Sequence, residues 1–395
     1  MKPHGISADC HYEIIDNDKT ILQKVIKSKL EGYITFENLK TGKVKRIPFR
    51  SFVDNFIQTI HGHLSGDAGA DTRIQTASVE AQTTGASHGL IFGVGDSVPN
   101  IADTGLGSSL AHASLSYGTH VFNAPSTSGN DLMFSLSRIL ANNKSSTVYP
   151  TEVGLITRLA TTASTAGGST ATKRMIAHDV VNVTLPADDS LRVTFTFEAS
   201  QIAGDGGIVL NFVKLIYNIL IRGNLNHSLS KIISRTGTTP TYIIGDTGAS
   251  LTSVAATLGE LCVNNQGVTV ATGYIGIVLV PYYISDDPLD PISPSTYACT
   301  PDHTGFTPTA NTISAIEYSS ITNGAQFTIS RTLLNSSTVT KVIGRVALLT
   351  RGDVSNTGAS LHADQVLLMI NNLDPMPAVA PGQSIKITYK LGIQV

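Results

Sequence analysis

The chain has 395 residues, with 27 Lys and Arg against 29 Asp and Glu, so its formal net charge is −2. This balance argues against binding nucleic acid or an anionic membrane through bulk charge. Charged residues make up 14% of the chain, whereas an ordinary soluble protein has about 25%. The length leaves room for two domains of ordinary size.

The N-terminal residues 1–30 differ from the rest of the chain because they carry a charged run, DNDKTILQKVIKSK. This composition predicts either an arm that reaches a neighbouring subunit, or a solvated short helix or partly ordered terminus. No apolar signal segment is present at the N-terminus. The most apolar run, residues 208–221, is shorter than the roughly 20 residues that span a bilayer. We therefore expect synthesis in the cytoplasm and no membrane partner.

Two amphipathic segments and several alternating segments follow along the chain. Residues 51–64 and 211–225 have apolar side chains at helical spacing and are predicted to form helices. Residues 88–95 and 273–280 are predicted strands. In residues 190–197 the apolar side chains alternate with polar ones, which is typical of a half-buried strand in an antiparallel sheet. Frequent Gly, Thr and β-branched residues, and the absence of Trp, also favour many short strands.

An internal repeat is the most informative feature of the sequence. Residues 134–158 align without a gap on residues 327–351, and 10 of the 25 pairs are identical. The strand at 190–197 recurs at 384–391. A period of this length is too long for a solenoid and indicates a duplicated domain. A trimer of such chains would be pseudo-sixfold, with the two copies related by rotation about the assembly axis.

The predicted fold is therefore mainly β, with two similar β-sandwich-like domains that each carry one packed amphipathic helix. We place the N-terminal arm at residues 1–30, the first copy at residues 31–200 and the second copy at residues 201–395.

Candidate chemical motifs are weak. Ser87 lies in a G-x-S-x-G pattern, but a strand follows it, whereas a nucleophile elbow requires a strand before the Ser and a helix after it. Gly93-Val94-Gly95 lacks the third glycine of a dinucleotide fingerprint and is read as a tight turn. The pair His61 and His63 has the wrong spacing to share a metal on a helix. We expect no catalytic residues, metal or cofactor.

Further short motifs are also read as structural. Asp188-Asp189 and the cluster around Asp286-Asp287 lack the spacing of a calcium loop, and both are predicted to be solvated turns. Arg351-Gly352-Asp353 spells an adhesive tripeptide, but Arg351 is the repeat partner of Arg158, so duplication already accounts for it. The cysteines Cys10, Cys262 and Cys299 are too far apart for a disulfide framework or a metal knuckle.

The segment from residue 281 to residue 308 is rich in proline, which fixes φ and predicts a stiff, extended excursion. A rigid loop that carries aromatic side chains suits recognition of a partner. An ordered crossover loop remains the alternative. The candidate interaction residues are Pro281, Tyr282, Tyr283, Pro288, Pro291, Pro294 and Tyr297.

The first copy contains a characteristic series of short elements. In chain order they are a hairpin with a Thr-Gly turn at residues 32–49, the helix SFVDNFIQTIHGHLSG, the strand and Val-Gly turn LIFGVGDS at residues 90–97, the loop GLGSSL, the strand PTEVGLITRL at residues 150–159 and the closing strand SLRVTFTF. Over about 170 residues this series resembles virion structural proteins of tailed bacteriophages. In the second copy, GRVALLTR replaces the Glu-Val-Gly-Leu form.

This resemblance implies a non-enzymatic structural role in the tail, neck or capsid exterior of a phage particle. The implied partners are further copies of the chain and other virion proteins. Two alternatives remain open: a receptor-binding module that uses the 281–308 loop, and a serine hydrolase that uses Ser87.

Overall fold

The computed structural model describes most of the chain and resolves a mainly β protein, as the sequence predicts. The described residues are 5–49, 51–65, 76–78, 89–110, 115–160, 172–200, 206–217, 276–280, 292, 299, 301–356 and 360–395.

The largest sheet has 12 strands, and its pairings are antiparallel. Its main path runs through β14 (Phe306–Pro308), β17 (Gly324–Asn335), β22 (Ser384–Gln394), β1 (Gly5–Asp16), β2 (Lys19–Asn38), β11 (Ser190–Ser200), β8 (Asp131–Asn142) and β6 (Leu115–Tyr117). Four further strands pair beside this path, namely β3 (Val44–Phe49) on β2, β7 (Val121–Ser128) on β8, and both β15 (Thr312–Ile313) and β16 (Glu317–Ser319) on β17.

Two four-stranded sheets and one strand pair complete the β structure of the described residues. The first sheet holds β4 (Thr76–Ser78), β5 (Gly89–Gly93), β9 (Glu152–Ala160) and β10 (Thr172–Val180). The second holds β12 (Gly206–Ile208), β13 (Gly276–Val280), β19 (Arg345–Asn356) and β20 (Ser360–Asn372). The pair is β18 (Lys341–Val342) with β21 (Ala378–Val379), and the helices are α1 (Asp54–Ser65) and α2 (Leu210–Tyr217).

The described part of the N-terminal segment lies at the centre of the main sheet. β1 pairs with β22 on one side and with the first half of β2 on the other. The prediction of a solvated helix or separate arm for residues 1–30 is therefore wrong for residues 5–30. The reason is a period-two pattern, since Ala8, Cys10, Tyr12 and Ile14 all point into the core.

The main sheet has an approximate twofold symmetry. Leu191 in β11 faces Asn38 in β2, and its repeat partner Ile385 in β22 faces Ile14 in β1. β2 thus takes the place of β1 with an offset of 38 − 14 = 24 residues. β1 and β2 are antiparallel, so exchanging them corresponds to a half-turn about an axis normal to the sheet near the pair Ile6 and Leu30.

This half-turn corrects one expectation about assembly. A pseudo-sixfold trimer needs its two copies to follow one another with the same polarity around a ring. In the sheet, β8 and β11 run opposite to their counterparts β17 and β22, because the central strands are antiparallel. The strands of residues 31–200 and 201–395 also share this one sheet, so the division into two domains stays a prediction.

Each of the two helices contacts strands of both halves of the chain. α1 packs on β10 and β17, and α2 packs on β20, β7 and β8. The ring of His61 in α1 lies 4.9 Å from that of Phe327, and the ring of Tyr217 in α2 lies 5.2 Å from that of Phe134. Phe134 and Phe327 are partners in the sequence repeat. Each helix therefore packs on the Phe of the other half, as elements do across a symmetric dimer interface.

The core lies between the main sheet and the smaller sheets. One face of the main sheet is buried, and the rings of Phe36 in β2 and Phe92 in β5 meet across the core at 6.3 Å. The alternation predicted for 190–197 is confirmed, because Leu191, Val193 and Phe195 are all buried. Burying each such side chain contributes about 1.5–3 kcal/mol. Hydrophobic burial on this face therefore holds the layers together.

Two buried arginines fasten the main sheet to the smaller sheets in the same way in both halves. Arg138 donates from Nε to the Gly118 carbonyl at 2.9 Å and from Nη1 to the Leu90 carbonyl at 3.2 Å. Its repeat partner Arg331 donates to the Thr309 carbonyl at 2.9 Å and to the Ile277 carbonyl at 2.8 Å. Leu90 and Ile277 are the second residues of β5 and β13.

Two buried asparagines repeat a second polar contact. Asn142 Nδ2 donates to the Ser146 and Leu185 carbonyls, and Asn335 Nδ2 donates to those of Val339 and Val379. Each side chain thus ties the turn after its strand to a neighbouring segment. Each of these two residues, which are identical in the sequence repeat, satisfies a buried carbonyl group.

We expect Arg138→Ala and Arg331→Ala to lower the free energy of unfolding by similar amounts, about 2–4 kcal/mol each, because each leaves one buried and one partly buried carbonyl without this donor. Urea denaturation of the full chain measures both changes. Arg192→Ala is the control, since Arg192 makes an exposed pair with Glu37 and its loss should cost less than about 1 kcal/mol. A large cost in one half and none in the other would contradict the equivalence of the two contacts.

Candidate functional site

The strongest ionisable cluster in the described residues surrounds Glu152, the first residue of β9. Its side chain is fully buried, and its Oε2 accepts a hydrogen bond from the Gly107 amide at 3.1 Å. Gly107 lies in the segment between β5 and β6. We call residues 93–107 the glycine loop. A carboxylate at the end of a buried strand therefore holds the backbone of this loop.

Glycines make room for the Glu152 side chain. An ideal Cβ on Gly93 would lie 2.6 Å from Glu152 Oε2, and one on Gly95 would overlap the same carboxylate. Neither glycine has a positive φ. The Val-Gly turn thus needs glycine for close approach to Glu152 rather than for an unusual backbone conformation, and the tight-turn explanation given from sequence is wrong in its physical reason.

His178 lies between Glu152 and a second carboxylate. Its Nδ1 is 2.7 Å from Asp103 Oδ2, and its Nε2 is 3.7 Å from Glu152 Oε1. Asp103 belongs to the glycine loop, and its Oδ2 also accepts a hydrogen bond from the Asn100 amide at 2.8 Å. We call Asp103, Glu152 and His178 the Glu152 cluster. It connects the glycine loop to β9 and β10 through a single imidazole.

The geometry of the cluster limits its chemistry. In a serine hydrolase the His nitrogen opposite the Asp faces the serine hydroxyl. Here that nitrogen, Nε2, faces a carboxylate. Within the described ranges no group of three or more His, Cys, Asp or Glu side chains is arranged to hold a metal ion. The cluster is built to hold charge and to position a loop.

The second half replaces the buried carboxylate with a cation. Arg345 occupies the repeat position of Glu152, and its Nε donates to Asn372 Oδ1 at 2.6 Å. The Glu152 cluster is therefore specific to the first half, in agreement with the change from Glu-Val-Gly-Leu to GRVALLTR in the sequence.

Most residues of the predicted interaction loop lie outside the described residues. They are Pro281, Tyr282, Tyr283, Pro288, Pro291, Pro294 and Tyr297. Ser87 and the cluster around Asp286 also lie outside the described residues.

Ile292, Cys299 and residues 301–308 of the 281–308 segment are described. Phe306–Pro308 form β14, so the prediction of an excursion without strand pairing is wrong for these residues. Ile292 and Cys299 are buried in the core of the second four-stranded sheet and anchor the segment at two points.

Other sequence candidates have structural roles where they are described. His61 Nε2 lies 2.9 Å from the Ser314 carbonyl, a contact between the two halves. Asp189 is buried and accepts hydrogen bonds from Asn38 Nδ2 and the Ser190 amide, each at 2.7 Å. The prediction of a solvated turn is wrong for Asp189. The backbone of Arg351-Gly352-Asp353 lies within β19.

Sequence reasoning did not identify the three residues of the Glu152 cluster as a site. A signal was present, since the Val-Gly turn, the GLGSSL loop and the Glu-Val-Gly-Leu strand were each noted for the phage resemblance. In the structure these three segments meet at Glu152.

Comparisons with known proteins add no identification. No family model, curated protein or solved structure matches this chain. Over the part of the chain that is described, no helix is long and apolar enough to cross a membrane.

We expect Gly95→Ala to destabilise the protein by about 2 kcal/mol or more, because the new methyl group would displace the buried Glu152 carboxylate. Gly105→Ala is the matched control in the same loop, since a Cβ there meets nothing within 4 Å. It should change stability by less than about 0.5 kcal/mol. Thermal and urea unfolding measure the difference, and equal effects at both glycines would contradict the packing described.

His303 gives an expected pH dependence. Its Nε2 accepts a hydrogen bond from the Leu279 amide at 3.3 Å, and burial together with the nearby Arg331 lowers its pKa to about 4. Between its ordinary pKa and about 4 the unfolded chain binds a proton that the folded chain does not, so stability falls as pH falls through this window. Because the side chain is partly exposed, we expect a loss of about 1–2 kcal/mol.

His303→Gln is the control, because Gln can still accept the Leu279 hydrogen bond but does not titrate. Urea unfolding as a function of pH should show a smaller decrease in this variant than in the wild type. The same decrease in both would contradict the role of His303.

Proposed function

We propose that this protein is a non-enzymatic structural component of a tailed-phage particle, which assembles through copies of itself and contacts other virion proteins. The observation that carries the proposal is the interlocked construction of the chain, in which one sheet spans both halves and each helix packs on strands of both halves. A chain held together in this way suits a structural role, in which the protein acts through its shape.

The use of buried polar groups supports this proposal. The guanidinium groups of Arg138 and Arg331 donate hydrogen bonds to backbone carbonyls. The side-chain amides of Asn142 and Asn335 do the same. The Glu152 cluster holds a loop. These groups fix the backbone and do not converge on a cleft that would receive a substrate.

Exposed apolar side chains supply a candidate contact surface. Val98 is 84% exposed and Ile321 is 90% exposed. The turns that carry them are joined, because Asn323 Nδ2 donates to the Pro99 carbonyl and its Oδ1 accepts from the Ile101 amide. We call Val98 and Ile321 the corner surface.

The experiment is native mass spectrometry and light scattering of the full chain at micromolar concentration. We expect a defined homo-oligomer, because apolar side chains this exposed are stabilised when a neighbouring copy covers them. A stable monomer that also fails to associate with virion fractions would overturn the proposal.

The double variant Val98→Asp with Ile321→Asp tests the corner surface itself. We expect it to weaken assembly about tenfold or more, since each charge would have to be buried in the contact, while thermal unfolding of the monomer stays the same. Val44→Asp is the matched control, because Val44 is also an exposed valine, at 64%, but lies on β3. Equal weakening by the control would assign the effect to net charge.

A receptor-binding role for the 281–308 loop is the second candidate. The observation that favours it is the burial of Ile292 and Cys299 in the core, because a loop anchored at two points loses less entropy when it binds. Deleting residues 284–291 would keep both anchors and should abolish glycan or cell binding. Binding that survives the deletion would remove this candidate.

A further inference from the structure

Two buried polar atoms face each other in the Glu152 cluster without a hydrogen bond. The side chains of His178 and Glu152 are 2% and 0% exposed, and the two facing atoms, His178 Nε2 and Glu152 Oε1, have no hydrogen-bond partner in the structure. They are 3.7 Å apart. A buried polar atom without a partner is costly, and two such atoms that face each other require an explanation.

The protonation state of the imidazole decides whether this arrangement is stable. A neutral imidazole has one N–H and one lone pair. If Nδ1 carries the proton toward Asp103, the lone pair of Nε2 faces the Glu152 carboxylate and repels it. If Nε2 carries the proton, the lone pair of Nδ1 faces Asp103 at 2.7 Å. With Asp103 and Glu152 both ionised, each neutral form of the imidazole therefore leaves one repulsive contact in a buried site.

We infer that His178 is held as the doubly protonated imidazolium between Asp103 and Glu152, and that this buried charge fastens the glycine loop to β9 and β10. Each nitrogen then has a proton to present to a carboxylate, and the positive charge offsets two negative charges. One carboxylate comes from the glycine loop and the other from the strand. The buried charge thus connects the glycine loop to β9. Gly107 in the loop and Glu152 in β9 are 45 residues apart along the chain.

The charged groups around His178 favour this state. Among the described residues its ion-pair contacts are with Asp103 from the loop and Glu152 from β9. On its own strand, Arg174 lies near Asp54 at the start of α1. A metal ion is the other cation that two such atoms attract, but zinc takes four ligands. Asp103 lies at the opposite ring nitrogen from Glu152, and among the described residues no three such side chains are arranged to hold a metal ion.

Nitrogen-15 NMR of the full chain labelled at histidine tests the inference, with His178→Gln to assign the resonance. In the wild type at neutral pH we expect both His178 nitrogens to give protonated-type resonances. In Glu152→Gln the amide can donate to a lone pair on Nε2, so the ring should become neutral with one unprotonated nitrogen. The resonances of His61, which faces a carbonyl, are the internal control and should not move.

Hydrogen exchange gives a second measurement on the same proteins. We expect the Gly107 amide to exchange about tenfold faster in Glu152→Gln than in the wild type, because a charge-assisted contact has been lost.

Two outcomes would overturn the inference. One is a neutral His178 in the wild type at neutral pH, and the other is a stoichiometric metal ion in the native mass spectrum of the purified protein. If Glu152→Gln does not fold, Asp103→Asn carries the same test, because Asp103 is partly exposed and its removal also leaves one carboxylate for the ring.

Discussion

The antiparallel pairing of β1 with β2 is the constraint on which the rest of the structure depends. The hairpin closes through Asn17 and Asp18, and both have positive φ, at 44° and 61°. Such a turn matches the twist of the two strands that it joins. β1 then pairs with β22, and the second half of β2 pairs with β11. One hairpin therefore joins the first half of the chain to the C-terminal strand.

The half-turn that this pairing creates accounts for the contacts that each helix makes with both halves. Once β17, β22 and β1 lie opposite β8, β11 and β2, a helix that covers the buried face near the centre of the sheet meets the neighbouring half. Repeat partners then make the same contacts twice, as with Phe134 and Phe327 beneath Tyr217 and His61. The identities in the sequence repeat fall at Phe134, Arg138 and Asn142 because each of these side chains is buried in a contact that both halves need.

The sequence predicted the elements whose signals are local and periodic. The alternating strands at 190–197 and 384–391 extend to β11 and β22, and the helical spacing at 51–64 corresponds to α1. The N-terminal strands were missed because Lys27 and Glu13 face outward and charged residues dominate the composition, while the inward residues between them set the structure. The Asn17-Asp18 turn was a usable signal. The pairing of β1 with β22 was not predictable in the same way, since it joins residues that are hundreds of positions apart.

The Glu152 cluster could not be found from motif spacing, because its three residues come from separate segments and no pattern links them along the chain. Glu152 also lies at a position where the two halves differ. The two halves share their sheet positions, their buried arginines and their helix contacts, yet Glu152 is replaced by Arg345 in the second half. A carboxylate and a guanidinium at equivalent positions cannot hold the same loop in the same way. The symmetry of the scaffold is therefore broken at this position, and the chain presents one glycine loop that is fastened through a carboxylate and an imidazole. If the protein assembles through copies of itself, this difference distinguishes one half of each subunit from the other. It makes a subunit of approximate twofold symmetry polar.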